Sequence, residues 1–355
     1  MVVLAKGELE QIALPAMQRA APPMAAVPEV DLAKAAAGDD GASGRAAAAR
    51  AVAAACEEHG FFKVTGHGVP AALLARVEAA AAAFFALPQR EKEAAKVVAP
   101  GGSPFGYASK RIGGNGDLGW VEYLLLGVTA AGAAAPVALP GAALSVSAEA
   151  WPCSFRDLLN EYIAAVRRMT CEVLELMAEG LGLAEKDVFT RLAMDKDSDS
   201  ILRVNHYPPR PELKQLRHSR LIGFGEHTDP QIISVLWSND ISGLEISLRD
   251  GNWVSVPSDK ESFFINVGDT LQVLTNGRFR SVRHRVTVNS ARSRVSVIFF
   301  GGPPPRERLA PLPGLVGEGG RRRYREFTWR EYRTSAYRTK LAENRLCHFE
   351  TAATS

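Results

Sequence analysis

Nine short runs beyond Asp199 alternate apolar and polar residues or carry β-branched ones, and no helical pattern separates them. Helical periodicity is confined to the N-terminal half and the tail. Together these predict an α+β protein with a mainly β core. Many short strands at near-regular spacing point to a double-sheet jelly roll rather than a parallel sheet.

Each element has its own justification. Residues 1–44 are rich in Ala, Pro and Gly and are expected to be loosely ordered. Residues 44–58 follow a helical pattern, and Gly60 suits the helix C-terminus. Residues 61–64 read as a short strand closed by Gly66-His67-Gly68-Val69-Pro70; His67 there reads as a turn residue rather than a metal ligand. Two amphipathic helices are expected over 71–87 and 153–182. Between them, 100–150 is Gly-rich with little regular periodicity and includes an alanine-rich insertion at 129–148. Strands are expected at 201–206, 221–226, 232–237, 244–248, 253–256, 263–267, 271–274, 281–288 and 294–300, with Asp250-Gly251 as a hairpin turn. A helix returns over 330–345. The expected organisation is an N-terminus at 1–44, a helical region at 45–199, the jelly-roll core at 200–305, and a C-terminal loop and helix at 306–355.

Composition narrows the function classes. The 355 residues are 46% hydrophobic, enough to bury a substantial core. A net charge of +3 is too balanced for a nucleic-acid binder, and the Arg321-Arg322-Arg323 cluster reads as a solvated loop. Cys56, Cys153, Cys171 and Cys347 are scattered without a CxxC spacing, which argues for reduced thiols and a cytoplasmic location. The first residues offer no signal-peptide apolar core. The uncharged stretch over 123–148, broken by Pro136 and Pro140, reads as a loop rather than a membrane span.

Candidate chemistry lies in the strand-rich half. His227-Thr228-Asp229 and His284 supply two imidazoles and a carboxylate, the set that occupies one face of a non-haem Fe(II) and leaves positions open. Two residues apart on an extended segment, His227 and Asp229 share a face. The bland alternative is a surface His and Asp with His284 satisfied in the core. Arg294 and Ser296 share one face of an otherwise apolar strand, and an inward Arg there is costly unless it meets an anion. Its planar fork suits a carboxylate, and a dicarboxylate such as 2-oxoglutarate could chelate iron at one end and reach Arg294 at the other. Pairing of Arg294 with an internal Asp or Glu is the alternative.

The run Asn205-His206-Tyr207-Pro208-Pro209, with His227-Thr228-Asp229, His284 and Arg294-Val295-Ser296, resembles the plant 2-oxoglutarate- and Fe(II)-dependent dioxygenases. So does Cys56-Glu57-Glu58-His59-Gly60-Phe61-Phe62 with Gly66-His67-Gly68-Val69. The resemblance implies a double-stranded β-helix under a helical N-terminal region. It makes His227, Asp229 and His284 iron ligands, places 2-oxoglutarate on Arg294 and Ser296 with Asn205 and Tyr207 as further contacts, and puts Phe300 near the organic substrate. O2 is then a co-substrate and ascorbate the reductant.

Residues 105–113 and Trp120-Val121-Glu122-Tyr123-Leu124-Leu125 are similar to gibberellin 2-oxidases, the latter to the subgroup acting on C19 gibberellins. The implied reaction is 2β-hydroxylation that inactivates the hormone. A rigid, mostly apolar diterpenoid with one carboxylate needs aromatic walls and a cation. Tyr107, Trp120 and Phe300 are candidates for the walls, Lys110 or Arg111 for the cation. The expected partner is this small molecule, with no nucleic acid or membrane, in a monomer or weak homo-oligomer. Other readings are a dioxygenase on another plant metabolite such as a flavonoid, a metal-bound jelly-roll binding protein, and a zinc hydrolase, which lacks an HExxH here.

Overall fold

The computed structural model describes residues 2–14, 21–36, 41–95, 105–112, 116–129, 132–134, 154–211, 220–316 and 320–351. In chain order the N-terminal region holds α1 (Lys6–Ile12), β1 (Glu29–Asp31), α2 (Leu32–Ala36), α3 (Gly41–Glu58), β2 (Phe61–Thr65), α4 (Ala71–Ala86), α5 (Gln89–Ala94), β3 (Gly106–Ile112), β4 (Asp117–Gly127), α6 (Phe155–Gly180) and α7 (Val188–Ala193). The rest holds β5 (Ile201–Tyr207), β6 (Ile222–His227), β7 (Ile233–Ser238), β8 (Leu244–Ser247), β9 (Trp253–Ser255), β10 (Phe263–Val267), α8 (Asp269–Leu274), β11 (His284–Thr287), β12 (Arg294–Gly301), β13 (Arg308–Leu309), β14 (Phe327–Thr328) and α9 (Trp329–Arg338).

Eight strands in the order β1-β2-β10-β7-β12-β5-β4-β3 form the major sheet, and β6-β11-β8-β9 form the minor one. Every described pairing in them is antiparallel except β1 with β2. The strand period of two splits each major-sheet strand between two cores. Val295, Val297 and Phe299 of β12 face the helices with Leu124, Leu202 and Val204. Ile298 and Phe300 face the minor sheet with Val121, Tyr123, Tyr207, Phe224 and Val286. β7 lies between both cores and is buried at all six positions. The result is three layers: helices, major sheet, minor sheet.

Helix α6 supports the middle layer. Ser154 and Asp157 form a reciprocal capping box that satisfies the first free amides. Leu158, Tyr162, Val166, Met169, Val173 and Met177 then recur at helical spacing on its buried face. At the end of α3, Gly60 takes φ 67°, and a Cβ there would meet the Arg280 carbonyl oxygen at 1.9 Å. Only glycine fits this turn, which presses α3 against the loop that precedes β11.

Four expectations need correction. Residues 271–274 are not a strand but part of α8, which follows an extended Gly268 and opens on Asp269. Leu271, Val273 and Leu274 around the partly buried Gln272 fit strand alternation and helical spacing alike, because four residues are too few to separate the two periods. The region over 100–150 contains the antiparallel β3–β4 pair; the eleven-residue β4 carries bulky apolar groups on both faces and so hides its alternation. In the first 44 residues, α1 and the strand β1 are formed, and β1 extends the major sheet beside β2. The helix expected at 330–345 spans Trp329–Arg338. Much of the 129–148 insertion, and Cys153, lie outside the described residues; Cys56, Cys171 and Cys347 are free thiols. Among the described residues no helix is long and apolar enough to cross a membrane.

Candidate metal centre and substrate cleft

β6 and β11 are neighbours in the minor sheet, and their register sets His227 opposite His284. The two rings lie 4.2 Å apart between centroids. Asp229 follows two residues beyond the end of β6, 4% exposed, in a turn held where the Asp269 amide donates to its carbonyl at 2.7 Å. His227, Asp229 and His284 each offer a ligand atom within 4.8 Å of one another.

The surroundings orient these atoms. His227 Nδ1 lies 2.7 Å from the Gly225 carbonyl and His284 Nδ1 lies 3.2 Å from the Val282 carbonyl. A carbonyl only accepts, so both Nδ1 atoms carry the proton and both Nε2 lone pairs are available. The Nε2 atoms face Asp229 Oδ1 at 3.4 and 3.7 Å. The other carboxylate oxygen accepts from Ser234 Oγ at 2.6 Å and Asn266 Nδ2 at 3.3 Å. Burial first, then the His284 ring, holds the His227 imidazole down to about 4, which keeps it neutral. Burial opposes charge on Asp229, but the two facing imidazoles hold its carboxyl well below the usual range. Two imidazoles with their Nε2 atoms turned inward and one carboxylate, all within 4.8 Å of one another, fit iron(II).

Across the sandwich, β12 pairs with β5 so that Arg294 lies opposite Tyr207 and Ser296 opposite Asn205. Arg294 is 2% exposed, and its Nε and Nη1 have no hydrogen-bond partner among the described residues. No Asp or Glu among them pairs with it, which removes the internal ion-pair alternative. Its guanidinium stands 5.5 Å from the Tyr207 ring centroid, and Asn205 Nδ2 donates to Ser296 Oγ at 3.4 Å. Gly243 makes the room: a Cβ there would lie 3.3 Å from Arg294 Cδ and 2.6 Å from the Thr287 carbonyl oxygen. A buried cation without a counter-charge is costly, so this corner fits the distal carboxylate of 2-oxoglutarate.

The organic-substrate candidates separate. Phe300 shares the inward face with Arg294 and Ser296 and packs on the inter-sheet core. Tyr107 is on the opposite, helix-facing side, where its hydroxyl donates to Glu122 at 2.6 Å. Trp120 also faces away; it packs beside Ile12 and Leu221 and donates from Nε1 to the Pro208 carbonyl at 2.9 Å. Lys110 pairs with Glu8 at 3.3 Å, and Arg111 is exposed at the strand end. Strand parity moves Tyr107 and Trp120 out of the cleft, and α1 takes the charge of Lys110.

Other residues occupy those places. Arg203 is inward on β5, in step with Asn205 and Tyr207. Its guanidinium lies 3.8 Å from the Tyr123 ring centroid and 4.7 Å from that of Phe224. Phe224 in turn lies 4.6 Å from the His227 ring. Arg203 Nε donates to Asn205 Oδ1 at 2.7 Å, while Nη2 has no partner among the described residues. The signal was present in the sequence as the period-two spacing 203, 205, 207.

This double-sheet fold with its two-His, one-Asp donor set and its anion corner defines an iron(II)- and 2-oxoglutarate-dependent dioxygenase. Residues 198–303 match the 2OG-Fe(II) oxygenase superfamily, and 27–141 match the non-haem dioxygenase in morphine synthesis N-terminal family. The chain is 54% identical over 299 residues to gibberellin 2-beta-dioxygenase 1 of Pisum sativum, covering 84% of this chain and 86% of that one. It is 48% identical over 353 residues to gibberellin 2-beta-dioxygenase of Phaseolus coccineus, covering 99% of each. The crystal structure of JOX2 in complex with 2OG, Fe and JA superposes with a TM-score of 0.75 at 27% identity, covering 99% of this chain and 95% of that one. The chain belongs to the gibberellin 2-beta-dioxygenase family of the 2OG-Fe(II) oxygenases.

Proposed function

We propose that this chain hydroxylates C19 gibberellins at the 2β position and so inactivates the hormone. His227, Asp229 and His284 hold iron(II). Arg294 and Ser296 grip the distal carboxylate of 2-oxoglutarate, with Asn205 and Tyr207 beside them and Phe300 on the cleft wall. O2 is the oxidant: bound iron(II) would supply its activation, 2-oxoglutarate would take one oxygen atom and leave as succinate and CO2, and the substrate would take the other. The protein's own part is to orient the two substrates and exclude water.

The observation that carries the substrate class is Arg203, one ring's width from His227 and framed by Tyr123 and Phe224. With Arg294 assigned to 2-oxoglutarate, Arg203 is left as a cation among aromatic walls, which suits a rigid carboxylic acid. The relatives' names support gibberellin as that acid. The enzyme works as a cytoplasmic monomer or weak homo-oligomer.

The test is turnover of purified protein with Fe(II), ascorbate and 2-oxoglutarate on C19 gibberellins, C20 gibberellins and a flavonoid, reading product mass and succinate. A C19 product heavier by one oxygen with matched succinate is expected. Succinate coupled only to another substrate would remove the gibberellin assignment, and no succinate with any of them would favour a binding protein. Arg203→Gln should lower kcat/KM on the free acid by tenfold or more, yet leave turnover of the gibberellin methyl ester unchanged. Equal losses on both would show that Arg203 does not read the carboxylate.

A further inference from the structure

On the outer side of the metal centre a pocket of about 380 Å³ opens between the β8–β9 hairpin, the loop joining α8 to β11, and the C-terminal segment. Arg249, Arg280, Arg283 and Arg323 line it, with Asp269 and Glu343 as its acids. Arg283 is neutralised by Glu226 at 2.6 Å, and Arg323 stands 3.8 Å from Glu350. Among the described residues, Arg249 and Arg280 have only carbonyls as partners. Arg280 Nη2 donates to those of Ser247 and Leu248 at 3.0 and 3.2 Å. Arg249 donates to those of Glu57 and Glu58 at the end of α3. Arg280 Nη1 is buried and has no partner among the described residues.

The acids do not compensate these two cations. Asp269 Oδ2 is turned to the hydroxyls of Thr228 and Tyr332, and Glu343 is exposed without an ion pair among the described residues. Nearby Glu57 is engaged by Arg278 at 2.6 Å. Two guanidiniums beside a polar cavity, one with a buried unused donor, is the arrangement that binds an oxyanion. We propose that Arg249 and Arg280 form a second anion site, separate from Arg294, for a small molecule bearing a phosphate or carboxylate group. Its wall includes Thr228, between two of the proposed iron ligands, and Asp269, whose amide holds the Asp229 carbonyl at 2.7 Å. Occupation would brace the loop that carries the metal donors.

Equilibrium dialysis of the full chain against labelled inorganic phosphate tests this, with Fe(II), 2-oxoglutarate and other carboxylates left out because a dicarboxylate would compete for the site. One saturable phosphate per chain is expected at constant chloride, weakened tenfold or more by Arg280→Gln and by the more exposed Arg249→Gln, and unchanged by Arg294→Gln. Displacement by succinate would assign general oxyanion chemistry, and resistance to it would assign a phosphoryl ligand; both outcomes support the site. Absence of saturable binding, or binding that both substitutions spare (an adventitious ion only), would overturn it.

Discussion

Arg294 illustrates how a single side chain carries chemical information. Its Nε and Nη1 are buried with no partner among the described residues, in a strand that apart from Ser296 and Gly301 is built of Val, Ile and Phe. Lysine keeps the charge but lacks the planar fork. Loss of one partner of a buried charge pair costs about 2–5 kcal/mol, so Arg294→Lys should raise the KM for 2-oxoglutarate by roughly 30-fold or more. Metal affinity should stay unchanged; a 2-oxoglutarate KM equal to wild type would remove Arg294 from that site. Asp229 acts differently, since it is the one carboxylate between the two imidazoles. Asp229→Ala should abolish both tight Fe(II) binding and turnover on every substrate, checked by metal titration beside a product assay. Turnover at the wild-type rate would place the metal elsewhere.

At the scale of elements, the cleft depends on how β4 is locked in place. Its outward Glu122 is 2% exposed, meets Lys92 of α5 at 2.6 Å and Tyr107 of β3 at 2.6 Å, and lies 2.8 Å from His206 of β5. One carboxylate thereby ties three strands and a helix, while Val121 and Tyr123 on the opposite face line the inter-sheet core. Burial opposes its charge, but His206, Lys92 and Tyr107 together hold the Glu122 carboxyl down to about 2. A depressed carboxyl contributes stability that is complete above its unfolded value near 4.5 and fades as pH falls toward 2. Glu122→Gln should therefore destabilise the fold at neutral pH by about 3–5 kcal/mol, since Lys92 stays buried without a counter-charge. It should also flatten the acid loss of stability between pH 4.5 and 2, as measured by urea unfolding across that range. An unchanged acid profile would show that the network does not carry the pH dependence.

For the whole molecule, the proposed donors His227 and His284 sit on the minor sheet, and Arg294 and Ser296 sit on the major one. A ligand bridging them ties the two layers together, and binding to the folded state alone contributes about 2.7 kcal/mol at a hundredfold excess over Kd. Fe(II) with 2-oxoglutarate should thus raise Tm by several degrees, and a chelator should reverse the gain. If 2-oxoglutarate adds nothing in the presence of metal, the bridging geometry is wrong. β1 to β4 complete the same sheet as β5, β7, β10 and β12, so the two halves of the chain share the middle layer.

The residues proposed to bind iron and 2-oxoglutarate were legible in the chain by chemical type. His227, Asp229, His284, Arg294 and Ser296 are costly to bury without a purpose, and short strand spacing placed them on shared faces. Period-two alternation likewise marked the jelly roll, and helical spacing marked α4 and α6. What tertiary structure alone decided was which face of each strand meets the cleft and which cations already have partners. β4 is apolar on both sides, so nothing local separates Trp120 from Tyr123; the helix layer and minor sheet do. Lys110 and Arg203 are equally charged in the sequence, and only the fold gives Lys110 to Glu8 while Arg203 is set between two aromatic rings beside His227. Charge and periodicity are local properties, whereas pairing and burial depend on residues a hundred positions away.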